Sequence, residues 1–387
     1  MGYQYIVLGA GIQGTTIAYD MARFGEAERV RLLDMELNQA RQAAEHINQL
    51  LQTDCVQAGQ LDVSDAEAVT AALKGADSCL SAVPYRFNPM LARCAIAAGV
   101  SFNDLGGKTD LVFEALALHE EALAANVSII PDCGVAPGLG NTLAAYGISQ
   151  LDTCHSVQIR CGGLPQNPQP PLDYMLVFNI GGLTNEYFGI STVLRNGERL
   201  DVPTFSELEH LTLPEPLGEC EAFVTSGGTS TCPWTFAGQV QNYDYKTIRY
   251  KGHYEKFKVL LDLGLLSLDP VEVNGQQIVP RELFHAVASK ALDFPGEKDL
   301  LILRVSCSGT KDGQPKTLEY TILDYYDEST GFNAMSRMTG FPASIVAIMS
   351  ARGQNARGAV ALEKAVPGDI FLEELARRGL NLEITEK

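Results

Sequence analysis

The sequence predicts an α/β protein: a doubly wound parallel sheet first, then an α+β domain built on a mixed sheet. Three observations carry this. An apolar strand runs straight into Gly9-x-Gly11-x-x-Gly14 and an amphipathic helix. Short apolar segments and helical patterns then alternate, as a parallel sheet covered on both faces requires. After about Leu151 the chain becomes strand-rich, with hairpin signals at Asn196-Gly197 and Asp312-Gly313. The 387 residues suffice for two domains, expected at 1–151 and 152–332, with a helical segment over 333–387 returning to the first.

The elements follow in order. "YQYIVLGAGIQGTTIAYDMARFG" reads as strand, turn and helix. Gly9 permits the tight bend, Gly11 lets a pyrophosphate reach the backbone, and Gly14 lets the helix pack on the strand, the pattern of a Rossmann-type nucleotide site. The free N–H groups of the helix start, with Ile12 and Gln13, face the phosphates. "RVRLLD" is a second strand ending in Asp34, twenty residues after Gly14. A carboxylate there accepts both ribose hydroxyls of NAD and repels a 2′-phosphate, and the following "MELN" supplies no arginine. Alternatively Asp34 caps the helix "MELNQARQAAEHINQLL".

"CVQAGQLDVSD" is the third strand, placing Asp62 and Val63 beside an adenine. The helix "AEAVTAALKGA" leads to the strand "DSCLSAVP", which ends at Ala82, Val83 and Pro84. A helix from Asn88, the strand "VSFNDLGG", a single helix over "LVFEALALHEEALAAN", the strand "VSIIPDCG" and the helix "APGLGNTLAAYGISQL" complete the first part. Ligands of such sheets lie beyond the carboxyl ends of the strands. Cofactor contacts are therefore expected from Gly9, Gly11, Ile12, Gln13, Gly14, Asp34, Asp62, Val63, Ala82, Val83, Pro84, Asn88, Gly106 and Val135.

In the second part "SVQIRCGGLP", "YMLVFNIGGL", "STVLRNGERLDVP", "CEAFVTSGG" and "YDYKTIRYKG" read as strands. "EKFKVLLDLGLLS" and "PRELFHAVASKAL" read as helices, "DLLILRVSCSGTKDGQPKTLEYTILDYYD" as a hairpin, and "NAMSRMTGFPASIVAIMSARG" as a helix packing back on the first domain.

The formal net charge is −18 and the pI about 4.7. That excludes the broad basic field of a nucleic-acid binder. No apolar run has spanning length, and the N-terminus carries no basic region or cleavage site, so a soluble cytoplasmic protein is expected. The nine cysteines form no C-x-x-C pair, and His46, His119, His155, His210 and His285 lack ligand spacing, so no metal is expected. Against this acidic background "YKTIRYKGHYEKFK" gathers Lys246, Arg249, Lys251, Lys256 and Lys258 around His253. The run is either a solvated face or a grip on a small anion beside a histidine.

Together "LGAGIQG", "AVPYRFN", "DLGG", "IPDCGVAPG", "TSGGTST" and "YKTIRYKGH" resemble the lysine 6-dehydrogenases, within the saccharopine dehydrogenase-like reductases, over nearly the whole chain. The resemblance implies NAD-dependent oxidation of the side-chain amine of L-lysine to 2-aminoadipate 6-semialdehyde, which cyclises to a piperideine carboxylate, with release of ammonia. Relatives in that group act on secondary amines such as saccharopine or carboxynorspermidine, and a reductase joining an amine to a semialdehyde is the alternative; a non-catalytic NAD-binding sensor is the third. One departure is Lys108 after "DLGG", where the lysine enzymes carry histidine.

Amine oxidation needs a deprotonated nitrogen, and a free lysine amine has a pKa of ~10.4. The candidate bases are His253, Lys246 and Asp104, of which Asp104 could instead hold the substrate ammonium. Arg249 is expected to bind the substrate carboxylate with a two-pronged contact. On a strand Lys246 and Arg249 lie on opposite faces, so they converge only at a bulge or strand end. Tyr85, Gly107 and the loop residues Thr225, Ser226 and Thr229 complete the expected substrate contacts, the loop either cradling a carboxylate with its N–H groups or forming a plain turn. Sheet edges in the second part suggest a homodimer or larger assembly.

Overall fold

A computed structural model describes residues 2–387. The strands are β1 (Tyr3–Leu8), β2 (Ala27–Asp34), β3 (Val56–Gln60), β4 (Ser78–Ser81), β5 (Ser101–Asp104), β6 (Ser128–Ile130), β7 (Thr153–Pro165), β8 (Ile190–Arg195), β9 (Glu198–Pro203), β10 (Glu209–Leu213), β11 (Gly218–Val224), β12 (Asn242–Tyr250), β13 (Val271–Val273), β14 (Gln276–Ile278), β15 (Asp299–Lys311), β16 (Gln314–Tyr325), β17 (Gly358–Ala359) and β18 (Leu382–Glu386). The helices are α1 (Ile12–Phe24), α2 (Leu37–Leu51), α3 (Ala66–Leu73), α4 (Asn88–Ala98), α5 (Thr109–Leu116), α6 (His119–Ala124), α7 (Leu139–Ser149), α8 (Ile180–Glu186), α9 (Cys232–Thr235), α10 (His253–Asp262), α11 (Pro280–Ala291), α12 (Ala334–Ala351), α13 (Leu362–Ala365) and α14 (Gly368–Ala376).

The first sheet runs β17-β6-β5-β4-β1-β2-β3, all parallel. Ile6, Val7 and Leu8 are fully buried, because helices cover both faces of a parallel sheet. Gly14 shows why the turn needs glycine: a Cβ there would lie 1.8 Å from the carbonyl oxygen of Gly9. Gly9 has φ +96°, and a Cβ on it would lie 2.9 Å from the carbonyl oxygen of Ala82. The end of β1 is thereby pressed against the end of β4, where the strand order reverses.

The second sheet runs β10-β11-β12-β7-β15-β16-β18, with the β8–β9 hairpin joined to β12. β7 and β12 are parallel while β11–β12, β7–β15, β15–β16 and β16–β18 are antiparallel, so the sheet is mixed. α12 ties the sheets together. Its first N–H groups, Ala334 and Met335, donate to the Asp299 carboxylate at 2.7 and 2.8 Å. Its Gly340 faces Thr16 and Ile17 of α1, and Asn103 Nδ2 donates to the Ala343 carbonyl at 2.9 Å.

Local expectations differ at five places. "YMLVFNIGGL" is not a strand: it is irregular until α8, where the Asn179 side chain accepts from Gly182 N at 2.8 Å and starts a helix. Apolar residues alone do not distinguish a buried strand from a buried loop. The single helix over "LVFEALALHEEALAAN" is two, α5 and α6, with Leu118 buried at the break. β10 and the β13–β14 hairpin fall in stretches assigned no strand. Residues 333–387 also add strands: β17 extends the first sheet and β18 the second. Just beyond α14, Arg378 grips Asp20 of α1, with Nε 2.9 Å from Oδ1 and Nη2 2.8 Å from Oδ2, both side chains fully buried.

Candidate active site

The carboxyl ends of β1, β2, β4, β5 and β6 form one edge of the first sheet, and the residues there fit a dinucleotide. A Cβ on Gly11 would meet nothing within 4 Å, so the backbone is open to a phosphate. No side chain caps the start of α1, which leaves its first N–H groups free. Ile12 is 65% exposed at that helix start, and Gln13 carries a buried amide oxygen without a partner. Asp34 is pinned in place: Oδ2 accepts from Ala10 N at 2.7 Å and Oδ1 from Glu36 N at 2.9 Å. The residue capping α2 is Glu36, so Asp34 is not that cap, and each oxygen keeps a lone pair for a ribose hydroxyl.

The remaining cofactor candidates divide. Ala82, Val83, Gly106 and Val135 are half-buried along the edge, and Pro84 is exposed. Asp62 is exposed and accepts from the N–H and hydroxyl of Ser64, which holds the turn before α3; Val63 beside it is half-buried. Asn88 is buried, and its amide oxygen accepts the Ser81 hydroxyl at 2.8 Å. It braces the start of α4 with that oxygen instead of offering it to a ligand.

Next along the edge stands a pair of buried acids. Asp104 Oδ1 accepts from Gly106 N at 2.7 Å and from Asp132 N at 3.1 Å. Burial pushes its carboxyl up to about 6, against the pull of those two N–H groups. Asp132 is pushed up to about 8, first by burial and then by the charge of Asp104. The Ser230 hydroxyl donates to Asp132 Oδ2, while Oδ1 is buried without a partner. Ser230 comes from the loop after β11, so the second sheet closes on the acids of the first. Glu363 of α13 accepts from the Thr231 hydroxyl at 2.9 Å and from Thr235, fixing that loop from a third side. Tyr85 lies across Gly107, where a Cβ would be 2.5 Å from the ring; Lys108 is exposed and faces Asp110 at 3.9 Å.

β12 sorts the cations of the run Tyr245–Lys258. Its pairing with β11 runs without a register shift from Lys246 to Tyr250, so Lys246 and Arg249 stay on opposite faces. Lys246 donates to the Glu207 carbonyl at 2.7 Å and pairs with Glu209 at 3.3 Å, in a network with Arg160, Arg195 and Asp244. That network occupies it structurally and removes it from the list of bases. Lys251, Lys256 and Lys258 pair with Glu219, Asp173 and Asp262 at the surface.

Arg249 is buried on the other face. Nε donates to the Tyr187 hydroxyl at 2.7 Å and Nη1 to the Ile248 carbonyl at 2.9 Å, and the guanidinium lies over the Tyr174 ring at 4.7 Å. Glu186 Oε2 is 4.0 Å from Nη2. Burial pushes the Glu186 carboxyl up to about 7, opposed by Arg249.

His253 is fully buried in an aromatic cluster with Tyr174, Tyr187, Phe223 and Phe257. Nδ1 meets the Leu172 carbonyl at 3.0 Å and so carries the proton; Nε2 accepts from the Tyr187 hydroxyl at 3.1 Å. Burial, then Arg249, pushes its pKa down to about 3. It is a neutral brace at the end of the chain Arg249–Tyr187–His253, and the structure gives it no path to a substrate as a base. The loop hydroxyls are also spent: Thr225 on Thr247 at 2.7 Å, Ser226 on the Asn185 carbonyl at 3.0 Å, and Thr229 on the Thr192 carbonyl at 2.9 Å. The loop is a turn that delivers Ser230.

The sequence reading gave no individual role to Asp132, Ser230, Tyr174, Tyr187 or Glu186, although Asp132 lies in one of its strand-end segments and Ser230 in its hydroxyl-rich loop. Asp132 had a signal, since it follows a strand in "IPDCG" at a sheet edge. Tyr174 had none, because its segment was read as strand, and Glu186 and Tyr187 had none, because they lie between two segments read as strands. Among the described residues no group of three or more His, Cys, Asp or Glu is placed to hold a metal, and no helix is long and apolar enough to cross a membrane.

An open glycine turn at the switch point, an acid at the end of β2 and a mixed-sheet domain closing over buried acids define a pyridine-nucleotide-dependent oxidoreductase. Family models agree over both parts: the saccharopine dehydrogenase NADP binding domain matches residues 5–130 and the saccharopine dehydrogenase C-terminal domain matches 134–380. The chain belongs to the saccharopine dehydrogenase family. It is 23% identical to carboxyaminopropylagmatine dehydrogenase of Synechocystis sp., over 97% of this chain and 96% of that one. It is 25% identical to carboxynorspermidine synthase of Vibrio alginolyticus, over 86% and 84%. The NADP-dependent, L-glutamate-forming saccharopine dehydrogenase of Saccharomyces cerevisiae is 23% identical over 73% of this chain, which spans 63% of that enzyme. The solved structure of the L-Glu-forming saccharopine dehydrogenase from Saccharomyces cerevisiae superposes with a TM-score of 0.80, at 18% identity, covering 100% of both chains.

Proposed function

We propose that the protein oxidises the side-chain amine of L-lysine with NAD, giving 2-aminoadipate 6-semialdehyde, which cyclises, and ammonia. The observation that carries this is Arg249: a buried guanidinium on the face of β12 opposite Lys246, whose Nη2 has no hydrogen-bonding partner among the described residues. It suits the α-carboxylate of an amino acid, and the motifs around it resemble the lysine enzymes. NAD is preferred over NADP because Asp34 stands where a 2′-phosphate would sit.

The residues divide the work. NAD, when bound, supplies the hydride acceptor. Arg249 anchors the substrate and sets its reach, so that the far carbon is presented at the strand ends. The reacting nitrogen must shed a proton before its carbon can give up hydride. Asp104, ionised near neutral pH, accepts that proton, while Asp132 retains its own and spares the site a second negative charge. The imine left on the substrate then takes up water and releases ammonia. The buried setting of both acids keeps bulk water from the reacting nitrogen until then.

A second reading has its own support. The relatives are named for carboxyaminopropylagmatine, carboxynorspermidine and saccharopine, so a secondary amine formed between an amine and a semialdehyde is the competing substrate. NADH formation and ammonia release with L-lysine, against NADH formation with saccharopine, separate the two. Ammonia produced in step with NADH is the expected result. Turnover of saccharopine without turnover of lysine would overturn the proposal in favour of the second reading.

A further inference from the structure

The site holds more unspent chemistry than a carboxylate anchor requires. Of the three guanidinium nitrogens of Arg249, Nε and Nη1 are committed to Tyr187 and Ile248. Nη2 faces only Glu186, and 4.0 Å is an ion pair without a hydrogen bond. No hydrogen bond to the Glu186 carboxylate is formed by any described residue, although its side chain is only 34% exposed. The backbone of Glu186 is fixed, since its carbonyl accepts from Ser226 N at 2.9 Å. The third group is the Tyr174 hydroxyl, buried on a fully buried residue under the Arg249 guanidinium; the Val177 N–H stands near it as a donor, and its own proton meets no acceptor among the described residues. Buried polar groups are normally satisfied, so the open Tyr174 hydroxyl and Arg249 nitrogen, beside the half-buried carboxylate of Glu186, point to a ligand that engages all three.

We infer that Glu186 and Tyr174 complete, with Arg249, a subsite for an α-amino-acid head group, a carboxylate and an ammonium on one carbon. The inference rests on the reading of this chain as an amine dehydrogenase that anchors a carboxylate on Arg249, and it adds the second charge. The substrate carboxylate accepts from Arg249 Nη2 and the Tyr174 hydroxyl. The α-ammonium donates to Glu186. The juxtaposed signs select against simpler molecules: a lone carboxylate is repelled by Glu186, and a lone amine is repelled by Arg249. The α-ammonium thus has its own partner, and Asp104 is left for the reacting nitrogen. The substrate class is an α-amino acid carrying a second amine, primary or secondary, at its far end.

The alternative role of Glu186 is a plain counterion that keeps Arg249 in place. Three substrates distinguish the two: L-lysine, 6-aminohexanoate, which is lysine without its α-amine, and cadaverine, which is lysine without its carboxylate. The measurement is kcat/KM for each with saturating NAD. The expected result is a preference for L-lysine over 6-aminohexanoate that falls at least tenfold in Glu186→Gln and is largely restored in Glu186→Asp. In Arg249→Gln the preference for L-lysine over cadaverine should fall at least tenfold. An equal fractional loss on lysine and 6-aminohexanoate in Glu186→Gln would overturn the subsite and leave the counterion. Calorimetric binding of L-lysine, 6-aminohexanoate and saccharopine to the protein with NADH needs no turnover. Absence of turnover with every amine would therefore sink the functional reading alone. L-Lysine or saccharopine bound more tightly than 6-aminohexanoate, with that margin lost in Glu186→Gln, would still support the subsite. Binding of neither L-lysine nor saccharopine would overturn it.

Discussion

Replacing Asp132 by asparagine should remove a loss of stability that the wild-type protein suffers as pH rises. Asp132 is 3% exposed, and its carboxyl is raised from 3.8 to about 8 by burial and by Asp104, with Glu363 adding to the rise and Ser230 opposing it. The sign follows from proton counts. Between those two values the folded protein keeps the proton and the unfolded chain has lost it, so stability is full below the unfolded value and falls as pH climbs toward the folded one. One proton corresponds to about 1.4 kcal/mol per pH unit. Unfolding entropy of ~2.1 cal/mol/K per residue gives about 0.8 kcal/mol/K for a chain of this size if it melts as one unit. The wild type should therefore lose about 2 °C of Tm per pH unit relative to Asp132→Asn, or about 3–4 °C between pH 5 and pH 7. Asparagine keeps an oxygen for the Ser230 hydroxyl and cannot ionise. Scanning calorimetry at pH 5, 6 and 7 and constant ionic strength measures the difference. Parallel Tm curves for the two proteins, or a wild type that gains on the variant as pH rises, would refute the assignment of a buried proton to Asp132.

Tyr187→Phe keeps the ring and deletes the hydroxyl that accepts from Arg249 and donates to His253. It strands a charged donor and a buried ring nitrogen, so a loss of about 2–4 kcal/mol in urea unfolding is expected, with a raised KM for carboxylated substrates; unchanged stability would show that the relay carries no weight. Asp34→Ser should narrow the preference for NAD over NADP by at least tenfold in kcat/KM, through loss of the negative charge at the ribose. Equal use of both cofactors by the unmodified protein would defeat that assignment.

The parts of this protein readable from sequence are those governed by short-range rules. The glycine turn was legible because Gly14 meets Gly9 within one βα unit, and the β15–β16 hairpin because Asp312-Gly313 sits between its strands. Strand periodicity also foretold that Lys246 and Arg249 would part company. The histidine misled for a physical reason. His253 looks reactive in a cationic string, but its partners Leu172 and Tyr187 lie 81 and 66 residues away, and only their arrival turns it into a neutral core residue. The acid pair was half visible. Asp104 ends β5 and Asp132 lies two residues past β6, yet their closeness depends on β5 and β6 lying side by side. Glu186 was hidden because Asn179, one residue before α8, redirects an apolar run from strand to helix.

The pairing of Asp20 with Arg378 has a consequence for how the protein is made. The two residues are 358 positions apart. At ~5–20 residues per second, a ribosome delivers the arginine roughly 20–70 s after the aspartate. The surface of α1 that ends up deepest is thus held open, with its aspartate hydrated, long after the strands beside it have been synthesised. The edge of β6 waits about two-thirds as long, since the strand that covers it begins at Gly358. A nascent chain of this kind is exposed to aggregation through its earliest segments until its latest ones emerge. Slow elongation and chaperone capture would therefore act on the first sheet, far from the residues whose synthesis relieves them.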